Sequence, residues 1–229
     1  MQYLTATVGL VNNFLILGCI YMAIMGASAL YLRPPVMKDS QGRVTHVQRG
    51  VTANEALKTW QFASLWWVFF VNITCGIGLL AVASPMAQEV IGMDAAAAAS
   101  MVGIIGVFNG GGRIFWSTIS DYLGRGRVYM LFFLLEVAAF WQLGQTREAL
   151  VFEVLVLLII SCYGGGFSCM PAYLSDIFGT RQLSAIHGRI LTAWGLAGVA
   201  GPSIVSYFHA QTGGYTASLY FFACCFVLN

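Results

Sequence analysis

The chain has 229 residues, of which 59% are hydrophobic and only 9% charged, and its formal net charge is +2. Soluble domains carry about 25% charged residues, so this composition excludes an ordinary water-soluble domain, and the abundance of apolar residues excludes a disordered chain. The six Cys lack CxxC spacing and lie in apolar runs, which indicates small buried hydrophobic residues instead of a disulfide framework or a zinc site. We therefore expect an integral membrane protein without a metal or cofactor.

Seven apolar runs follow one another along the chain, and polar or Gly/Pro-containing connectors separate them. They cover residues 6–32, 62–84, 95–117, 128–144, 149–174, 190–209 and 215–228. A helix needs about 20 apolar residues to cross about 30 Å of hydrocarbon, so the last run stops short of a full span. Strands are excluded because an unpaired strand leaves its backbone unsatisfied in lipid. Asp94, just before five consecutive Ala residues, predicts a helix N-cap.

The basic residues are distributed unevenly over the connectors. Nine of the eleven Lys and Arg fall in the first, third and fifth connectors, Arg147 falls in the fourth, and Arg113 lies inside a run. Because basic residues concentrate in cytoplasmic loops, the connector 33–59 is predicted to be cytoplasmic and the N-terminus to lie outside.

This orientation leads us to expect a fragment. No Lys or Arg precedes Arg33, so the start of the chain lacks a signal-peptide pattern. A first helix that enters from outside and a last run too short to span are what a cut chain would show. The alternative is a complete protein whose N-terminus lies outside.

The third run ends in a segment of distinctive composition, FNGGGRIFWSTISDYLGRGR over residues 108–127. Gly124 permits a left-handed or closely packed backbone, so the segment predicts a tight turn. Asp121 can pair with Arg125, with Arg127 or with a helix N-terminus. We expect these four residues to form a cytoplasmic latch that binds neighbouring helices in one state and releases them in the other.

The segment resembles the loop signature of the major facilitator superfamily, G-x-x-x-D-[RK]-x-G-R, in its second copy between helices eight and nine. Ser117 stands where the family has Gly and Tyr122 where it has a basic residue, so a weaker latch is expected. Further stretches resemble the oxalate/formate antiporter-like branch of that superfamily. They are WQF at 60–62, NITCG at 72–76, ASPMAQE at 83–89, NGGGR at 109–113, PAYLSDIFGT at 171–180 and the segment 195–202.

The resemblance implies a domain organisation. The runs would correspond to helices six to twelve: residues 1–32 are the last helix of a missing N-terminal half, residues 33–59 the central cytoplasmic loop, and residues 60–229 the C-terminal six-helix bundle with its last helix truncated. The expected fold is therefore all-α, a membrane bundle of the superfamily.

Arg113 is the candidate for substrate binding. It lies eight residues before Asp121, about 12 Å from that end of the helix, where an unpaired guanidinium costs several kcal/mol unless it is hydrated or snorkels. One interpretation is a snorkelling Arg; the other is a cavity-facing cation that binds a carboxylate bidentately. The resemblance favours the second, because the family's oxalate exchanger uses an Arg here. Asn109, one turn earlier, could orient the guanidinium or contact substrate.

Trp194 restricts the class of carboxylate that we expect as the substrate. The family's oxalate exchanger carries a Lys within Thr-Ala-Lys-Gly in helix eleven, whereas residues 192–195 of this chain read Thr-Ala-Trp-Gly. The resemblance thus implies that Arg113 is the one cation at this site. A dicarboxylate needs two cations, because burying an unpaired carboxylate costs free energy. A monocarboxylate fits one Arg and an aromatic wall better, although Trp194 could equally be plain packing.

Three further features of the sequence each allow two interpretations. Glu136 is a proton-coupling candidate, or a neutral acid hydrogen-bonded to a neighbouring helix. Tyr163, with Phe167 four residues on, could line the site or belong to a packed helix face. The stripe Ala193, Ala197 and Gly201 allows close helix packing and sliding, or faces lipid.

The sequence disfavours other functional classes. GFSCM at 166–170 lacks the closing Gly of a nucleophile elbow, and we find neither H-E-x-x-H nor a P-loop, so an enzyme is not expected. A channel filter is not apparent.

We predict a multi-pass transporter of the cell membrane, an antiporter or proton symporter of small organic anions. Its partners would be the anion, the bilayer and the missing N-terminal half, without nucleic acid. The alternative is a transporter-like sensor that binds a carboxylate without moving it.

Overall fold

A computed structural model of the chain describes residues 9–31 and 50–229, which belong to two compact units, residues 1–47 and 48–229. In the first unit, helix α1 spans Leu10–Tyr31 and has a mean hydropathy of 2.0. The predicted connector 33–59 is described only from Gly50 onward. Four of its basic residues therefore lie outside the described residues: Arg33, Lys38, Arg43 and Arg49.

The described residues of the second unit form seven helices. They are α2 (Ala53–Ala56), α3 (Trp60–Glu89), α4 (Ala95–Leu123), α5 (Arg125–Leu143), α6 (Ala149–Phe178), α7 (Leu183–Thr212) and α8 (Thr216–Val227). Helices α1 and α3 to α7 are long and apolar enough to cross a membrane, and α8 is a shorter apolar helix of 12 residues. The prediction of an all-α, multi-pass membrane protein is confirmed for the described residues.

Helices α3, α4, α6 and α7 extend beyond the apolar runs that predicted them, and polar side chains cap the start of α3 and of α4. The Asp94 side chain accepts a hydrogen bond from the Ala97 amide at 2.7 Å, which confirms the predicted N-cap of α4. Thr59 caps α3 in the same way, accepting from the Phe62 amide at 3.2 Å.

Two pairs of helices pack along their lengths, α3 with α7 and α4 with α6, while α5 packs against α6 and α8. The predicted small-residue stripe on α7 is buried and faces α3. A Cβ on Gly201 would lie 2.5 Å from the Thr74 carbonyl oxygen and 2.9 Å from the Gly78 nitrogen. The backbones of α3 and α7 therefore touch at this point, as close small-residue packing allows.

The cysteines correct one expectation. All six are free thiols, and Cys75, Cys162 and Cys169 are buried as predicted. Cys19 and Cys224, however, are exposed. In a membrane protein, the exposed face of a spanning helix is apolar as well, so an apolar run does not distinguish a buried thiol from one on the outer face.

Contacts between connectors define one end of the second unit. Gly50 pairs with Gly179 in an antiparallel bridge, and the Ala53 amide donates to Gln182 Oε1 at 2.7 Å. Arg189 Nη2 donates to Asn54 Oδ1 at 2.7 Å. Lys58 belongs to this same segment. The connector that precedes α3 is therefore bound to the turn between α6 and α7.

The short helix α2 at this end is stabilised by its own cap. The Glu55 amide donates to the Thr52 hydroxyl, and the Thr52 amide donates to Glu55 Oε2 at 2.7 Å. These backbone and side-chain hydrogen bonds with Thr52 lower the pKa of the exposed Glu55 carboxyl. The segment before α3 thus has a defined local structure.

Candidate functional site

Arg113 lies on α4, ten residues before the helix ends at Leu123, and its side chain is exposed. Its Nε donates to Asn109 Oδ1 at 3.3 Å, which is the pairing expected of residues one turn apart. The guanidinium carbon lies 5.3 Å from the centroid of the Phe167 ring on α6, within the range of a cation–π contact. The guanidinium is thus oriented by one amide and one aromatic ring.

The exposed surface of α4 has two faces of different composition. Gly103, Gly106 and Gly110 lie within about 80° of Arg113 around the helix axis, and a Cβ on any of the three would meet open space. The other exposed face carries large apolar residues: Ile104, Val107, Phe108, Ile114 and Phe115. The second face is typical of lipid contact, whereas the Arg113 face consists mostly of glycine, with one exposed apolar residue, Val102.

Aromatic side chains from two helices surround the Arg113 contact. Phe167 makes edge-on contacts with Tyr163, at 5.6 Å between ring centroids, and with Trp194 on α7, at 5.8 Å. Trp194 is 48% exposed, while Tyr163 is 7% exposed and packs against Gly76 of α3. Arg113, Asn109, Trp194 and Tyr163 were all predicted as site residues. Phe167 contacts three of them, and Asn109 contacts Arg113.

Glycine packing places α4 directly opposite this aromatic group. A Cβ on Gly112 would lie 2.5 Å from the Ser161 carbonyl oxygen, and one on Gly164 would lie 2.3 Å from the Asn109 carbonyl oxygen. The Ser168 hydroxyl also donates to the Arg113 carbonyl at 2.9 Å. With the two backbones in contact, the Arg113 side chain reaches Phe167 while it stays on the open face.

This arrangement suits recognition of a carboxylate. Asn109 engages Nε, and a carboxylate can bind side by side to the guanidinium from the exposed side. The aromatic rings of Phe167 and Trp194 offer apolar surface beside that position. Among the described residues, no group of three His, Cys, Asp or Glu side chains could hold a metal ion.

The Arg113 face is an open surface of the second unit. A cavity of about 800 Å³ lies elsewhere, between the start of α3 and α7, and its lining includes Trp60, Trp66, Arg189 and Thr192 but not Arg113. We place the candidate site at Arg113 because a charged side chain in the middle of a spanning helix needs a polar ligand or water. Arg189 lies near the start of α7, where its Nη2 donates to Asn54 and its Nη1 is buried without a hydrogen-bond partner.

Asp121 and Arg125, two of the four residues predicted as a latch, form an ion pair. Gly124 has a φ of +89°, which confirms the expected glycine backbone, and Arg125 Nη2 binds Asp121 Oδ1 at 2.5 Å. Arg125 also donates to the Ser120 hydroxyl, and its Nε lies 3.5 Å from Asp176 Oδ2 at the end of α6. Arg125 therefore joins α4, α5 and α6. Arg127, the remaining latch residue, is exposed at the first turn of α5.

Glu136 is fully buried on α5 and accepts a hydrogen bond from Asn72 Nδ2 on α3 at 3.2 Å. This bond to a neighbouring helix is the geometry of one of the two predicted interpretations.

Sequence reasoning missed two residues that the fold brings to these groups. Asp176 was noted only within the segment 171–180 and Asn72 only within the segment 72–76, whereas Phe167 was named with Tyr163 as a side chain that could line the site. A polar residue in an apolar run, as for Asn72, was the available signal. Contacts between helices distant in sequence required the tertiary structure.

Comparisons with known proteins agree with the motif resemblance. A family model described as Major Facilitator Superfamily matches residues 1–202. The oxalate:formate antiporter of Oxalobacter formigenes is 28% identical over 209 residues, 90% of this chain and 50% of that protein. The uncharacterized MFS-type transporter YhjX of Escherichia coli (strain K12) is 28% identical over 202 residues, 86% of this chain and 49% of that protein. The chain thus spans about half the length of these relatives.

Proposed function

The chain belongs to the Major Facilitator Superfamily, and on that basis we propose that it forms part of a secondary transporter for small organic anions. Arg113 binds the carboxylate group of the substrate. The observation that carries this proposal is the exposed guanidinium in the middle of α4, oriented by Asn109 and Phe167 on a face lined by glycines.

A monocarboxylate is the proposed substrate class. Arg113 is the one basic residue between Trp60 and Gly124, and the side chains grouped with it are aromatic. One guanidinium compensates one carboxylate, and a second carboxylate beside Phe167 and Trp194 would lack a partner at low dielectric. The relative named an oxalate:formate antiporter supports carboxylates as the substrate class.

We propose that transport follows alternating access, in which two halves of a transporter rock about a central site. In this proposal, residues 1–32 are the last helix of one half, residues 33–59 the cytoplasmic central loop and residues 60–229 the other half, in the cell membrane. Arg125, which joins α4, α5 and α6, would stabilise one of the two states.

The test uses the full-length protein that contains this chain, reconstituted in liposomes. Replacing Arg113→Gln removes the charge and one side of the bidentate contact, so carboxylate binding weakens about 10- to 150-fold and counterflow exchange is lost. Arg113→Lys keeps the charge without the planar fork and restores part of the exchange. Undiminished exchange in Arg113→Gln contradicts the proposal.

Two controls make the result specific. Arg147→Gln removes an Arg from a connector away from the site and leaves exchange unchanged, and thermal unfolding shows whether each variant is folded. Binding of labelled carboxylate without counterflow in the unmodified protein would instead support a sensor.

A further inference from the structure

A carboxyl–carboxamide pair lies at the centre of the helix bundle. Glu136 on α5 and Asn72 on α3 both have 0% exposed surface, and a Cβ on Gly166 of α6 would lie 2.3 Å from Asn72 Oδ1. The pair is therefore enclosed where three spanning helices meet. Glu136 is nine residues past Arg127, about 14 Å along α5.

The hydrogen bonds of this pair are incomplete in a specific way. Asn72 Nδ2 donates to Glu136 Oε2 at 3.2 Å, while Asn72 Oδ1 and Glu136 Oε1 are both buried without a hydrogen-bond partner. Both unsatisfied atoms are acceptors if Glu136 is ionised. The pair thus lacks one donor, and a proton on the carboxyl group supplies it.

The surroundings offer no other compensation for a carboxylate. Helix α5 packs mainly against α6 and α8 and at fewer positions against α4, while Asn72 reaches it from α3. The sequences of α3, α6 and α8 contain no Lys, Arg or His, and the one basic residue of α4 is Arg113. The titratable groups near Glu136 are the thiols of Cys75 on α3 and Cys162 on α6, and α8 contributes Tyr220, Cys224 and Cys225. Arg113, on α4, is engaged by Asn109 and Phe167. An unpaired charge in such a site is strongly disfavoured.

We propose that Glu136 and Asn72 form a proton-binding site, in which the neutral acid donates its O–H to Asn72 Oδ1 while Asn72 Nδ2 donates to Glu136 Oε2. A second step rests on the proposed function: we infer that this proton is transported together with the anion. When α3 and α5 move apart locally within residues 60–229, water reaches Glu136, and the carboxyl group loses its proton and becomes a carboxylate.

The site is connected to the Arg113 site through one turn of α6. Asn72 packs on Gly166, and the next residue, Phe167, is the ring beneath the Arg113 guanidinium. The Gly166 carbonyl also accepts a hydrogen bond from the buried Tyr129 hydroxyl at 2.6 Å. A displacement of Asn72 on loss of the proton therefore acts on the same helical turn that positions the anion site.

The first experiment detects the proton directly. Infrared difference spectra of the full-length protein in nanodiscs at neutral pH, wild type minus Glu136→Gln, should show a protonated-carboxyl C=O band that shifts in D₂O. Gln supplies a permanent N–H donor to Asn72, so this variant should remain folded. Ionised-carboxylate bands in place of the protonated band would overturn the site, and this outcome does not depend on transport.

The second experiment tests coupling in liposomes. In the wild type, an inward-directed proton gradient should stimulate carboxylate uptake relative to uptake at equal pH. In Glu136→Gln, the uptake that remains should lose this stimulation entirely, whereas Glu153→Gln, a Glu near the start of α6, should keep it. Equal stimulation in wild type and Glu136→Gln, or none in the wild type, would overturn coupling. Absence of carboxylate exchange in the wild type would instead refute the proposed function.

Discussion

Phe167 is the residue on which the candidate anion site depends. Its ring contacts the Arg113 guanidinium at 5.3 Å and the Trp194 ring at 5.8 Å, so side chains from α4, α6 and α7 meet at one position. A cation–π contact of this kind contributes about 0.5–1 kcal/mol at an exposed site. The ring therefore orients the guanidinium and leaves apolar surface beside it.

At this scale we predict a change of substrate preference in Trp194→Lys. Because Trp194 and Arg113 contact the same ring, a lysine ammonium at 194 can compensate a second carboxylate near Arg113. We expect dicarboxylates to compete with labelled monocarboxylate more strongly than they do in the wild type. The measurement is competition in the counterflow assay. Trp194→Phe, which keeps an aromatic ring, is the matched control, and an unchanged order of competitors in Trp194→Lys would contradict the assignment.

Helix pairs in this protein meet through glycines. Gly201 of α7 touches the α3 backbone, and Gly112 and Gly164 bring α4 and α6 together. Not every glycine serves this purpose: Gly198, three residues before Gly201, has open space beside it. The helix face on which a glycine lies therefore decides whether close packing requires it. The spacing of glycines along the sequence does not reveal that face.

At the element scale, Gly201→Ala and Gly198→Ala should differ in stability although they lie within one turn of α7. The added methyl at 201 meets the Thr74 carbonyl and the Gly78 nitrogen, which cannot move without separating the helices, so we expect a loss of about 1–3 kcal/mol. The methyl at 198 meets open space and improves helix propensity by up to about 1 kcal/mol. Thermal unfolding in detergent measures both, and equal unfolding temperatures would show that α3 and α7 do not pack this closely.

The second unit is polarised by charge along its described residues. Arg125, Arg127, Arg181 and Arg189 lie at the end of the second unit where the connector before α3 binds the turn after α6. Arg147 lies at the opposite end, where the Tyr215 hydroxyl donates to Glu89 at 2.9 Å; burial and this hydrogen bond raise the pKa of Tyr215. The contacts between connectors thus agree with the sequence prediction that the basic connectors share one side.

Accessibility labelling tests the proposed orientation. In the full-length protein with its native cysteines replaced, a membrane-impermeant maleimide should label Gln145→Cys in intact cells. Tyr122→Cys, at a position 85% exposed at the basic end, should be labelled only after permeabilisation. The physical reason is that basic loops are retained in the cytoplasm. The reverse pattern would invert the topology.

Local composition was sufficient for the spanning helices, the N-cap of α4 and the uneven distribution of basic residues. A run of apolar residues must form a helix in lipid because its backbone has no other partner, and Asp94 caps α4 through a contact three residues away. The family resemblance could likewise be recognised in the segment 108–127, since its signature is contiguous. Arg113 and Asn109 were predicted as a pair because they are one turn apart on the same helix.

Contacts between different helices were decided by the tertiary structure alone. Phe167 beneath Arg113, Asp176 beside Arg125 and Asn72 against Glu136 each join residues at least 50 positions apart. In a membrane protein both lipid-facing and buried surfaces are apolar, so hydropathy cannot specify which face of a helix meets which neighbour. Steric fit between particular glycines and neighbouring backbones determines which faces pack together. That fit is present only in the packed helices.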